Sequence, residues 1–144
     1  MNLFGVLELS GSALGAERLR AEIVAANLAN MGTTRTAEGG PYRRQLLVLR
    51  TQRARQFPLM LASFGPTAGA GVSIERVVSD TREPVRLYQP GHPDADKHGY
   101  VAFPAVNPVE EMADLLSAAR SYELNASVVQ AAKAMIQQSI DLLR

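Results

Sequence analysis

The stretch from Asn107 to Arg144 constrains this chain most. After Pro108 it contains no Gly or Pro, so nothing in it interrupts a helix. Read in sevens, Met112, Ala119, Ala126, Lys133 and Ile140 occupy one position, and Leu115, Tyr122, Val129, Ile136 and Leu143 the partner position. Only Lys133 breaks the apolar pattern. Alternating three- and four-residue spacing over this length predicts a long helix packed along a narrow stripe. At ~1.5 Å per residue it is roughly 50–55 Å long. That is too long for the core of one small globule, so the stripe is expected to face another long helix. Asn107 suits the cap, Pro108 the first helical position and Glu110 the acid of a capping box. Glu110, Glu111 and Asp114 place negative charge where the helix dipole favours it, and Arg144 complements the far end. A helix this long frays when untethered, so it is expected to be held by something outside the monomer.

A second stripe of the same period lies at the other end of the chain. Leu9, Ala16, Ile23 and Asn30 share one heptad position, and Ser12, Leu19 and Ala26 the other. Its smaller side chains allow close approach of another helix. Gly5, Gly11 and Gly15 each cost about 1 kcal/mol relative to Ala in a helix interior, so residues 1–8 are expected to be less regular in the free protein. Asn30-Met31-Gly32 reads as the helix stop. Joined in one molecule, the two stripes pair antiparallel, and the segment between them projects as an insert. A compact α+β domain with two unrelated amphipathic helices is the alternative that the period leaves open.

The middle, residues 33–106, holds every proline except Pro108 and most of the glycines. Tyr42–Arg50 and Val72–Val78 read as strands, with Val72, Ile74 and Arg76 on one face of the second; Val85–Tyr88 and Tyr100–Phe103 are shorter strands bounded by Pro or Gly. Residues 57–71 read as a loop. The expected fold class is therefore α+β: long terminal helices paired as an antiparallel, coiled-coil-like bundle, with a small β insert. The expected segments are 1–32 (N-terminal helical arm), 33–106 (β-rich insert) and 107–144 (C-terminal helix).

Composition narrows the function. The 144 residues are 47% apolar and 20% charged, the balance of a folding chain. A net charge of +1 gives no overall electrostatic case for nucleic acid or anionic membrane, and the absence of Cys excludes disulfides and thiolate chemistry. No apolar run reaches the 18 or so residues that span a bilayer, and the N-terminus lacks the basic and apolar regions of a cleavable signal peptide.

Two clusters invite chemistry. His92, Asp94, Asp96 and His98 alternate within GHPDADKHG, so an extended backbone would put four metal-ligand types on one side. The plainer reading is a polar loop whose Asp side chains satisfy turn amides. Arg35, Arg43, Arg44, Arg50, Arg53 and Arg55 form a basic stretch that could meet phosphates, with only Tyr42 and Phe57 nearby to stack on bases. In a strand Arg43 and Arg44 point to opposite faces, which works against one binding surface. No G-x-S-x-G elbow, P-loop or dinucleotide fingerprint is present. Lys133 is either a side chain whose stem covers apolar surface or a polar group that sets register at the seam.

The motifs also carry a resemblance. GSALGAERLRAEIVAANLANMGTTRT followed by GGPYRRQLLVL is similar to the N-terminal region of bacterial flagellar rod and hook proteins, and Asn27-Leu28-Ala29-Asn30 fits their A-N-x-x-N signature. YQPGHPDADKHGYVAFPAVNPVEEMADLLSAARSYELNASVVQAAKAMIQQSI resembles the C-terminal half of the proximal-rod members of that family. Together the matches cover residues 5–50 and 88–143; the stretch 51–71 shows none. Ala105 stands where the family usually has Asn, His98 where it has an acidic or small residue, and Leu124-Asn125-Ala126 departs from A-N-V, all outside the heptad frame. The resemblance implies a non-enzymatic structural subunit without cofactor or metal. Such a subunit polymerises helically with other rod proteins and copies of itself into a torque-transmitting drive shaft through the periplasm. It implies export in the unfolded state by the flagellar type III apparatus, contact with membrane-ring and export-gate adaptor proteins at the rod base, no bilayer insertion and no nucleic-acid partner. The assembly residues expected on the helix seams are Leu9, Ala16, Leu19, Ile23, Ala26, Asn27 and Asn30, with Met112, Leu115, Ala119, Tyr122, Ala126, Val129, Lys133, Ile136, Ile140 and Leu143. The competing classes are a small α+β module for nucleic acid or for a divalent metal.

Overall fold

The computed structural model describes residues 3–52 and 71–142. Two long helices, α1 (Leu3–Ala29) and α2 (Pro108–Asp141), bracket four strands, β1 (Gln45–Gln52), β2 (Gly71–Ser79), β3 (Val85–Tyr88) and β4 (Tyr100–Phe103). The class is α+β, with packed terminal helices and a small β insert, as the two stripes predict. Arg20 meets Asp114 and Asn27 meets Glu111, so α1 positions rise as α2 positions fall and the helices are antiparallel.

α2 begins where its capping residues place it. The Asn107 carboxamide oxygen accepts from the Val109 N–H at 3.1 Å, and the Asn107 carbonyl accepts the first helical bond from the Glu111 N–H. Glu110 differs from the capping-box expectation: it accepts from the Asn107 side-chain amide at 3.1 Å instead of from the backbone N–H. α1 is already helical at Leu3 and runs on through Gly5, Gly11 and Gly15. The irregularity expected over residues 1–8 is therefore not found from Leu3 onward, because packing of Ser10 and Ala16 outweighs the glycine penalty. The helix stops at the expected place by a different device. Among the described residues positive φ is confined to Gly39, Gly40 and Gly99, so Gly32 provides no left-handed cap. Instead the Asn30 side-chain amide donates to the Ala26 carbonyl at 2.9 Å, and the Thr33 hydroxyl donates to Asn30 Oδ1 at 3.1 Å.

β1 starts three residues later than expected, because Tyr42 is engaged earlier: its N–H donates to the Thr33 carbonyl at 3.0 Å. β1 pairs with β2. The Asp80 N–H donates to the Arg44 carbonyl and the Ser73 hydroxyl to the Arg50 carbonyl, so the two strands run antiparallel. β3 and β4 occupy their expected positions and pair antiparallel, Val85 opposite Phe103 and Tyr88 opposite Tyr100. The loop expected at 57–71 lies outside the described residues up to residue 70; Gly71 opens β2.

The chain divides into two compact units, and each draws on both helices and on β1 and β2. One comprises residues 1–19, 49–75 and 118–144. Its buried side chains are small: Ser10 and Ala16 on α1, Ala118 and Ala132 on α2. Ser12 ties α1 to β2 by accepting from the Val72 N–H at 3.1 Å, and a Cβ at Gly71 would lie 3.0 Å from its oxygen. The other unit comprises residues 20–48 and 76–117. It buries Ile23, Val24 and Val101 together with two polar side chains, Asn27 and Glu111.

Candidate functional site

The second unit is built around Asn27. This residue stands two positions before the end of α1 and is 1% exposed. A neutral carboxamide offers two donors and two acceptor positions, and burial demands that all be matched. Here they are. Nδ2 donates to the Gln45 carbonyl at 2.9 Å and to Glu111 Oε2 at 3.0 Å, while Oδ1 accepts from the Gln45 N–H at 2.8 Å and the Tyr42 hydroxyl at 2.9 Å. Asn27 thus meets both backbone groups of Gln45 as a neighbouring strand would, fixing the start of β1 to α1.

The charged partner, Glu111, lies in the first turn of α2 and is wholly buried. Its second oxygen accepts from Arg44 Nε at 2.5 Å. Arg44 also reaches Asp114 at 3.6 Å, and Asp114 is shared with Arg20 of α1 at 3.2 Å. A buried carboxylate is costly unless both its charge and its lone pairs are matched, and this one has a guanidinium and an amide. Burial first, and then the nearby Glu111 charge, push the Tyr42 phenol above its ordinary pKa. The cluster joins three chain segments into one connected network.

Of these residues the sequence singled out Asn27 as a site. Glu111 reads there only as a helix-start acid and Arg44 as part of a basic run. The available signal is the spacing: Glu111, Ala118, Asn125 and Ala132 stand seven apart, and three of the four are buried. The face of α2 turned into the chain is thus the small-residue line one place before the expected seam, because small side chains let α1 come close. The expected positions fall on either side. Met112, Ala119, Tyr122, Lys133 and Ile140 are exposed, and Leu115, Ala126, Val129 and Ile136 half-buried. On α1, Ala16, Ile23 and Asn27 are buried, Leu19, Ala26 and Asn30 half-buried, and Leu9 exposed. Leu143 lies outside the described residues.

The outward faces are strongly apolar. Val109, Met112 and Leu116 follow one another at helical spacing on the first turns of α2, 74%, 53% and 59% exposed. In the other unit Leu124, Val128 and Met135 form a corresponding line, with Leu124 68% exposed.

The loop at 91–99 uses its ligand-like side chains internally. His92 Nδ1 accepts from the Asp94 N–H at 3.1 Å, and Asp96 Oδ1 accepts from the N–H groups of His98 and Tyr100 at 2.7 and 2.9 Å. Asp94 accepts from the Thr34 hydroxyl at 2.8 Å and pairs with Arg35. No group of three or more potential metal ligands is assembled among the described residues. The basic run is likewise dispersed: Arg35 and Arg44 are ion-paired, Arg43 and Arg50 are exposed, and Arg53 and Arg55 lie outside the described residues.

Comparison with known proteins gives two family matches. Residues 7–35 match the family described as "Flagella basal body rod protein", and residues 97–142 match "Flagellar basal body rod FlgEFG protein C-terminal". Three relatives carry the name "Flagellar basal-body rod protein FlgC". The one from Borreliella burgdorferi is 37% identical over 152 residues, spanning 100% of this chain and 99% of its own. That from Bacillus subtilis is 38% identical over 149 residues, 99% of either chain. That from Salmonella typhimurium is 34% identical over 142 residues, 99% of this chain and 98% of its own.

Proposed function

Since the chain belongs to the FlgC family of flagellar basal-body rod proteins, and is on that ground a structural subunit of the rod, we propose that it works by packing its outward helix faces against neighbouring subunits. The observation that carries this reading is an imbalance of apolar surface. Apart from Pro104, the apolar side chains buried among the described residues are Ala16, Ile23, Val24, Val101, Ala118 and Ala132, half of them alanines. Leu116, Leu124, Val109 and Met135, all larger than alanine, face solvent on α2 alone. Exposed apolar surface on this scale marks an interaction site. Covering it contributes about 25 cal/mol per Å² before the entropy of association is subtracted.

In this reading α1 and α2 form the inner layer of a tube and the β insert faces outward. Each subunit uses different faces toward different neighbours, as a non-closing helical array requires. The exposed seam residues Met112, Ala119, Tyr122, Lys133 and Ile140 serve those contacts, while Ala16, Ile23 and Asn27 serve the pairing within the chain. Neighbours are other rod proteins and further copies, with adaptor proteins of the membrane ring and export gate at the base. The subunit transmits torque by rigid packing and catalyses no reaction. No helix among the described residues is long and apolar enough to cross a membrane. The chain reaches the periplasmic rod unfolded, through the flagellar type III apparatus.

The test places a charge on the outward face without touching the inner one. Leu116→Asp and Leu124→Asp are expected to leave the purified chain helical by circular dichroism and to abolish swimming when they replace the gene in a deletion strain. Normal swimming with both substitutions would show that these faces meet nothing.

A further inference from the structure

The buried polar cluster does more than stabilise, and the contrast with its surroundings indicates what. Along α2 the inward positions repeat every seven residues as Glu111, Ala118, Asn125 and Ala132. Alanine seams pack closely but discriminate poorly, because moving one helix by a heptad sets one small side chain where another stood. Ile23 and Val24 on α1 are equally indifferent to such a slip. The Glu111 carboxylate is not. It fits between Asn27 Nδ2 at 3.0 Å and Arg44 Nε at 2.5 Å, and Asn27 is itself fixed to the backbone of Gln45 on both sides. A slip of seven residues would put Ala118 in that place. Asn27 and Arg44 would then be buried against a methyl group, and Glu111 would be left without its matched donors.

We infer that Glu111 is a register key: it selects one axial alignment of α2 against the α1–β1 platform, with Asn27 and Arg44 as its lock. Buried ion pairs are often replaceable by apolar groups of similar bulk without loss of stability, and their best-attested use is to fix register. The key therefore contributes selectivity between alignments more than total stability. This concerns the free chain and stands independently of how subunits pack.

The test removes the key and the charged half of its lock while sparing the Asn27–Gln45 pairing. The variant Arg44→Met with Glu111→Leu replaces both charges with side chains of comparable bulk, and Asp114 keeps Arg20. The protein has no Cys, so Ala25→Cys and Ala113→Cys, both at exposed positions, admit spin labels at two defined sites. Electron–electron resonance should give one narrow distance in the otherwise unaltered chain. In the apolar variant, folded by circular dichroism, a second distance should appear, corresponding to an axial slip of about 10 Å, seven residues at ~1.5 Å each. A single, unshifted distance in the folded variant overturns the inference. So does a variant that fails to fold, which would make the cluster a source of stability and not of selection.

Discussion

Removing the Asn27 carboxamide tests the centre of the second unit most directly. Asn27→Ala takes away four hydrogen bonds at a position that is 1% exposed. The consequences for its partners are unequal. Glu111 is wholly buried and keeps only Arg44, while Gln45 and Tyr42 are half-buried, so water can replace part of what they lose. Each buried group left unmatched costs about 1–3 kcal/mol, with the upper end for a charge. Counting Glu111 and one Gln45 group in full and discounting the rest gives roughly 3–5 kcal/mol, in line with breaking one side of a buried charged pair. Against a total of about 5–15 kcal/mol for a small protein, that is a large share. The assay is urea unfolding of the purified chain followed by circular dichroism, reading the midpoint shift at constant slope. Asn30→Ala is the internal standard. Its side chain donates to one carbonyl and accepts from Thr33, and such a hydrogen bond contributes about 0.5–1.5 kcal/mol. Asn27→Ala should be clearly the more damaging of the two. A loss below about 1 kcal/mol, or parity with Asn30→Ala, would refute the account of the network.

Further outcomes are expected elsewhere. Gly11→Ala and Gly15→Ala should each raise the stability of the free chain by about 0.5–1 kcal/mol, because a Cβ at either meets nothing within 4 Å; urea midpoints check this. Gly99→Ala should lower stability by about 1–3 kcal/mol in the same assay, since its φ is +80° and a Cβ would stand 2.8 Å from the Tyr88 ring. Asp96 is held below the usual carboxylate range, first by the Tyr100 N–H and further by the His98 N–H. A depressed folded-state value means its contribution is present above the ordinary Asp pKa and lost as pH falls through the lowered one. Side-chain carboxyl shifts by NMR should therefore titrate below the ordinary Asp range, and Asp96→Asn should remove that dependence.

The terminal helices were legible because they are written as periodicity. Asn107 and Pro108 mark the start of α2 correctly, and Val85–Tyr88 and Tyr100–Phe103 are bounded by Pro and Gly just where β3 and β4 end. The inward face of α2 was harder to read. Its large apolar residues, such as Met112 and Tyr122, draw the eye as a seam, yet the chain buries the alanines of a neighbouring line. Hydrophobic size predicts burial only where one molecule must cover its own surface. Glu111 was hidden for a related reason: a helix dipole already accounts for an acid in a first turn, so nothing marked this one as buried. Its lock, Arg44, lies 67 residues away in sequence, beyond the reach of any local pattern.

That separation has a kinetic consequence. Asn27 and Glu111 stand 84 residues apart, so their contact closes more than half of the 144-residue polypeptide into one loop. Contacts of such high order form late and slow a folding reaction, because the entropy of closure must be met before the contact rewards it. A chain emerging from its N-terminus can wind α1 early but must wait for the start of α2 before Asn27 finds its last partner. Maturation of this protein is thus timed by the arrival of its C-terminal quarter.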